Sequence, residues 1–189
     1  ITHYIYAPKE DSYIRQKWRI EDKSLETRSI PKNIAQVYTL SPGADFNRKS
    51  KKDFNLLLSK FNFAIDKGFS EVGLLFDDTD INKIGIESDD KDLGKFHGEL
   101  ISEVTTKLGL SNGWFCPSIY CESFSKKGIQ NDKYLEGVTE TINNDLFFLW
   151  TGPKVISDFI SQDHLKELGQ VTVSYTHLTL PTKEEGGVG

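Results

Sequence analysis

Val72-Gly73-Leu74-Leu75-Phe76-Asp77-Asp78 is a short apolar run that ends in two adjacent carboxylates. Continuous apolar runs of this length suit strands of a parallel sheet covered on both faces. In an α/β barrel, the carboxyl ends of such strands open on the face that carries the chemistry. Two acids delivered to one cleft cannot both ionise cheaply. One is pushed up in pKa and stays protonated near neutral pH, where it serves as a general acid. The first chemistry this predicts is acid catalysis on an ether-like bond, such as a glycosidic bond. A turn with a helix cap is the structural alternative, because Asp also accepts hydrogen bonds from free backbone N–H groups. The dipeptide alone leaves both open.

Working outward, short apolar runs alternate with segments of helical period, the pattern of βα units. Strands are predicted over residues 4–7, 34–40, 72–76, 114–119 and 146–150. The second is stopped by Ser41-Pro42-Gly43. A helix over 53–67 carries Phe54, Leu57, Leu58, Phe61 and Ile65 on one stripe and is closed by Gly68. A second over 92–108 carries Phe96, Leu100, Ile101, Val104 and Leu108 and is closed by Gly109. Further helices are predicted over 133–143 and 155–168. Residues 21–32 are charged, lack a good apolar stripe and contain Pro31, so only a short or frayed helix is expected there. About five strands with intervening helices fit a parallel barrel or open sheet, not a sandwich.

The chain has 189 residues, 37% hydrophobic and 12% aromatic, with a net charge of −5. That is one domain with a sizeable core, neither disordered nor a basic nucleic-acid binder. Arg48-Lys49-Ser50-Lys51-Lys52 reads as a solvated loop and helix start. Cys116 and Cys121 are the only cysteines, and their spacing with no nearby His makes neither a disulfide framework nor a zinc site. No run reaches the ~18 apolar residues of a membrane helix. The sequence lacks Met and opens inside a strand-like segment, so it is expected to be a fragment. Residues 172–189 have no periodic partner, end in Gly186-Gly187-Val188-Gly189, and read as a non-native, adapter-like tail.

In a parallel barrel the strand ends converge. They are Tyr6-Ala7-Pro8-Lys9-Glu10-Asp11, Ser41-Pro42-Gly43-Ala44-Asp45, Phe76-Asp77-Asp78, Cys116-Pro117-Ser118-Ile119-Tyr120-Cys121 and Trp150-Thr151-Gly152-Pro153-Lys154-Val155. Lys9 and Tyr120 supply donors, Asp77 and Asp78 supply acid and acceptor functions, and Trp150 and Val155 supply apolar surface. Such an inventory suits a sugar pocket. The plainer readings are a surface lysine beside Glu10 and Asp11, a rim tyrosine at 120, and packing for Trp150. Asp45 reads as a cap or turn residue, and His3, His97 and His164 as structural.

Together with Lys17-Trp18-Arg19, these motifs in this order resemble glycoside hydrolase family 84. That family includes bacterial enzymes named hyaluronidases, other β-N-acetylglucosaminidases and the eukaryotic protein O-GlcNAcases. The resemblance covers roughly residues 1–170. It implies a (β/α)8 TIM-barrel catalytic domain that cleaves terminal β-linked N-acetylglucosamine from glycans or glycoproteins with retention. The implied mechanism is substrate-assisted: the 2-acetamido oxygen attacks the anomeric carbon and forms an oxazoline, an exception to the two-carboxylate scheme. Carried over by motif, Asp77 orients and polarises the acetamido N–H and Asp78 protonates the leaving oxygen. Tyr120 bonds the acetamido group, Lys9 holds ring hydroxyls, and Cys116 with Val155 walls the acetamido pocket. No metal or other cofactor is implied.

The chain departs from the family at both ends. A first strand with a Gly-Phe-Tyr-Gly-type motif does not precede Ile1, and the family's later Trp-Asp-Asn and Asn-Asp segments are replaced by the adapter-like tail. Residues 1–171 are therefore expected to form an incomplete barrel with about five of eight strands, inactive as a fragment. Two other function classes stay in view. One is a non-catalytic carbohydrate-binding or vestigial fragment. The other is a metal-dependent phosphoryl-transfer enzyme using Asp77, Asp78 and Asp80, against which no Gly-rich phosphate loop follows any strand.

Overall fold

The computed structural model describes residues 2–8, 10–27, 33–77, 91–142 and 145–171. Five strands form one sheet: β1 (His3–Tyr6), β2 (Ala35–Leu40), β3 (Glu71–Leu75), β4 (Asn112–Cys116) and β5 (Asp145–Phe148). They lie in the order β1-β2-β3-β4-β5, and every neighbouring pair is parallel. Helices α1 (Lys51–Asp66), α2 (Lys91–Leu108), α3 (Lys133–Thr141) and α4 (Gln162–Val171) follow β2, β3, β4 and β5. The α/β class and the parallel sheet expected from the alternating apolar runs are thus observed.

Strand side chains alternate between two faces. Tyr6, Tyr38, Leu40, Val72, Leu74, Phe115, Leu146 and Phe148 share one buried core with Leu57 and Phe61 of α1, Leu100, Ile101 and Val104 of α2, Leu135 and Val138 of α3, and Leu168 of α4. Fully burying side chains of this size contributes about 1.5–3 kcal/mol each. The other face carries Ile5, Val37, Thr39, Leu75, Trp114, Cys116 and Phe147, and none of these belongs to that core. On it Gly73 pairs with Trp114, and a Cβ at residue 73 would lie 2.8 Å from the Trp114 Cβ. Trp114 stacks on Phe147 at 4.4 Å, and its indole donates to Glu71, which also pairs with His3 at 3.3 Å.

Element ends follow their caps. The Ser50 side chain accepts from the Asp53 N–H, so α1 starts two residues before the predicted 53. Gly68, at φ 106°, takes the left-handed turn after it. Where a short or frayed helix is expected, the described residues form one 3-10 turn, Lys23–Thr27, with Asp22 capping Ser24 through both its N–H and its hydroxyl, and residues 28–32 lie outside the described residues. β4 ends at Cys116 rather than at 119, because Pro117 has no N–H to continue the ladder.

The largest correction is the last helix. It begins at Gln162, not at 155. Gly152, at φ 91°, turns the chain, and Ser157 exchanges hydrogen bonds with Lys154 at 3.0 and 3.1 Å. The first available N-cap is Ser161, whose hydroxyl accepts from the His164 N–H. Residues 155–161 are accordingly a loop, with Ile156 and Phe159 exposed. Among the described residues no helix is long and apolar enough to cross a membrane.

Candidate active site

Asp77 lies two residues after the end of β3, at the carboxyl end of the central strand of the sheet. The Phe76 N–H donates to the Cys116 carbonyl at 2.8 Å, carrying the β3–β4 ladder one residue past the strand. Leu75 is paired with Cys116, and alternation sets Asp77 on their side of the sheet, away from the helices. Asp77 is half-buried and its Oδ1 is shut off from solvent. Cys116 is buried as the last residue of β4.

Tyr120 and Val155 come together by a different route. The Tyr120 carbonyl accepts from the Thr151 N–H at 2.9 Å, Gly152 accepts from the Glu122 N–H at 3.0 Å, and Pro153 accepts from the Ser123 N–H at 3.0 Å. Loops after β4 and β5 are therefore stitched backbone to backbone. The Tyr120 ring is half-buried and packs edge-on to Phe124 at 5.1 Å, while Val155 is exposed on the partner loop. Helix α4 closes this corner. Trp150 donates from its indole to His164 Nε2 at 2.9 Å, and His164 Nδ1 lies 3.3 Å from Glu122. Trp150 is a buried packing residue rather than a member of the open face.

Lys9 and Asp78 lie outside the described residues. Among the described residues of the β1–β2 connection, the Asp11 N–H donates to the Pro8 carbonyl and the Tyr6 hydroxyl donates to Asp11 Oδ2 at 2.7 Å. Lys60 of α1 supports the turns that follow, donating from Nζ to the carbonyls of Tyr13 and Ile20. Burial lowers its pKa to about 8 against the pull of Asp22, Asp11 and Glu21.

Two features escaped the sequence reading. Lys17-Trp18-Arg19 was visible as a motif without a role. Its Trp18 indole donates to Asp45 Oδ1 at 2.8 Å, and Arg19 bonds both Asp45 and Asp53. Arg19 also lies 4.1 Å over the Trp18 ring. Its hydrogen bond, helped by the Asn47 N–H, holds the Asp53 carboxyl below its ordinary range. Asp45 is thus an anchor joining the β1–β2 connection to the turn after β2, beyond the cap or turn role its sequence suggests. No spacing rule links residues 19, 45 and 53.

The second feature lies behind the acid-bearing strand end. His97 of α2 stacks on Phe76 at 3.7 Å, and its Nδ1 is 2.8 Å from the Tyr134 hydroxyl. That hydroxyl accepts from the Ser118 N–H at 3.0 Å. Burial pushes His97 down to about 3, so it is neutral, and pushes the Tyr134 hydroxyl above its ordinary range.

With that geometry in place, relatives can be compared. The family model described as beta-N-acetylglucosaminidase matches residues 1–179. Protein O-GlcNAcase of Rattus norvegicus and that of Mus musculus are each 30% identical over 183 residues, covering 90% of this chain and 20% of theirs. The chain therefore spans about a fifth of the length of these curated relatives. Among solved structures, a mutant O-GlcNAc hydrolase of Thermobaculum terrenum superposes with a TM-score of 0.76 at 24% identity, over 92% of this chain and 39% of that one. CpGH84B superposes with a TM-score of 0.73 at 22% identity, over 92% and 32%.

Proposed function

The chain belongs to glycoside hydrolase family 84, the β-N-acetylglucosaminidase family, and from that premise we propose that it is part of a retaining enzyme acting on β-linked N-acetylglucosamine. Its five-stranded sheet is read as most of a closed (β/α)8 barrel, with residues 1–171 as the partial catalytic domain and 172–189 as a non-native tail. The observation that carries the proposal is Asp77 at the carboxyl end of the central strand. Two residues before it, Leu75 pairs with Cys116, the last residue of β4.

In this mechanism the acetamido oxygen of the bound sugar attacks the anomeric carbon as the bond to the leaving oxygen breaks. Asp78 gives its proton to that oxygen. Asp77 remains ionised and accepts from the acetamido N–H, stabilising positive charge that builds as the oxazoline forms. Water then attacks the anomeric carbon, returning its proton to Asp78 and restoring the acetamido group. Tyr120 bonds the acetamido group, Cys116 and Val155 wall its methyl, and Lys9 holds ring hydroxyls. The two acids divide labour because one must stay ionised while the other must start protonated.

Aryl β-N-acetylglucosaminides with good and poor leaving groups test this in the full-length gene product, assayed with and without a chelator. Asp78→Ala should cost on the order of 10²–10⁴-fold on poor leaving groups and far less on activated ones. Asp77→Ala should slow both, because oxazoline formation needs the acetamido group polarised whatever departs. Equal leaving-group dependence in the two variants would overturn the assignment. Binding without turnover by the unaltered protein would point to a carbohydrate-binding fragment, and turnover abolished by the chelator to metal chemistry.

A further inference from the structure

We propose that His97 and Tyr134 are positioning residues: a buried bridge that sets the acid-bearing end of β3 against the segment leading from Cys116 to Tyr120. The bridge rests on the reading of Asp77 and Tyr120 given above. It runs from the Phe76 ring to the His97 ring, from His97 Nδ1 to the Tyr134 hydroxyl, and from that hydroxyl to the Ser118 N–H. Its two ends are the residue before Asp77 and the residue midway between Cys116 and Tyr120.

Three observations carry it. First, the last rung of the β3–β4 ladder is Phe76 N–H to Cys116 O. The next β4 donor on that side is the Ser118 N–H, and once it leaves the ladder no further rung fixes how far apart the two loops lie. The Ser118 N–H finds its acceptor in Tyr134, a helix residue, instead of in a neighbouring strand. Second, the polar groups are complementary: an amide N–H only donates, so the Tyr134 oxygen accepts from Ser118, and its own proton can be given to His97 Nδ1 when that nitrogen is unprotonated. Neutral His97 is the form this requires, and its burial supplies it. Third, the pair is costly as mere filling. A buried imidazole and hydroxyl destabilise the fold when left unpaired, and apolar side chains would pack the same space without that demand. Between these two residues the polar chain is satisfied, and its contacts end on the two site loops.

Tyr134→Phe, which removes a single oxygen, and His97→Phe, which keeps the ring stack but not the acceptor, test the bridge in the full-length protein. Site-resolved amide hydrogen exchange and steady-state kinetics are read side by side. In Tyr134→Phe the amides of Ser118 and of Asp77 should both exchange about tenfold faster or more, while β2 amides such as Tyr38 keep their protection. The value of kcat on aryl β-N-acetylglucosaminides should fall at least about tenfold with KM within about threefold, because misplacement of positioned groups costs rate more than binding. The double variant should lose no more than either single one, as expected of groups acting as a unit. Faster exchange at Ser118 alone would overturn the proposal, since the bridge would not reach β3. Loss of protection spread evenly over the sheet would make the pair merely structural. Unchanged kcat in an active enzyme would remove the positioning role. If the unaltered protein turns over no glucosaminide, the proposed function fails while the exchange result still decides whether the loops are coupled.

Discussion

At the scale of single residues, the most consequential group is one that never touches the open face. His97 is buried among Phe76, Phe96 and Tyr134, and its pKa is lowered from the ordinary 6.5 to about 3 by that burial. The folded protein therefore stays unprotonated there while the unfolded chain takes up a proton below about pH 6.5. Stability from this group is fully present above pH 6.5 and is lost as pH falls towards 3, by up to about 1.4 kcal/mol per pH unit. Asp53 and Glu136 also have lowered pKa values, Asp53 through Arg19 and Glu136, at about 2, through Lys133 and Lys91. Their windows lie at lower pH, in and below the ordinary carboxylate range, so they barely touch the window between pH 5 and 6.5 in which His97 acts. Thermal unfolding followed from pH 7 to pH 5 should show a steeper fall in midpoint for the unaltered protein than for His97→Phe. Parallel curves would mean that His97 is protonated in the fold after all, and the hydrogen-bond direction assigned to Tyr134 would fall with it.

At the scale of elements, the crossing of α2 and α3 is what brings His97 to Tyr134, and glycine makes the crossing possible. A Cβ at Gly94 would lie 2.0 Å from the Tyr134 carbonyl oxygen, and one at Gly137 would lie 2.1 Å from the Lys91 carbonyl oxygen. Lys91 also pairs with Glu136 and Glu140 across the contact at 2.5 Å, although exposed pairs of this kind contribute little. Two effects compete in Gly94→Ala. Helix propensity favours alanine by about 1 kcal/mol, while overpacking costs about 1–3 kcal/mol. Overpacking wins here because the obstacle is backbone that no rotamer change can move. Gly94→Ala and Gly137→Ala should both lower the unfolding midpoint, whereas Glu99→Ala on the exposed side of α2 should change it little. A stabilised Gly94→Ala would show that the helices stand farther apart. This crossing also marks the limit of what sequence conveys. Apolar stripes such as Leu100, Ile101 and Val104 repeat at helical period, so the helices and the five strands were legible. Gly94 and Gly137 carry no periodic signal, since their role depends on an element some forty residues away. The start of α4 was misplaced because Val155 and Ile156 look like a helix stripe, while the cap that decides the matter is Ser161. Among the site residues, Asp77 was legible as the end of an apolar run, but the links among Arg19, Asp45 and Asp53 are tertiary and leave no local pattern.

At the scale of the whole molecule, the sheet has two ends. Among the described residues β1 pairs only with β2 and β5 only with β4, so each presents an edge of unpaired backbone groups. The face opposite the helices carries Ile5, Val37, Leu75, Trp114 and Phe147. In the barrel proposed above, further strands would pair with both edges and turn that face into a closed, packed interior. Without them, edge strands and apolar surface favour pairing between chains. The 189-residue chain expressed alone should therefore self-associate and hydrolyse aryl β-N-acetylglucosaminides far more slowly than the full-length gene product, which should be monodisperse. Removing residues 172–189 should not restore activity, because the deficit lies in the strands and sugar-binding groups that complete the barrel. Size-exclusion chromatography with light scattering, run beside the glycosidase assay, checks both halves of the expectation. A monodisperse and active monomer from the 189 residues would mean that five strands suffice to hold the site, and the proposed barrel closure would have to be given up.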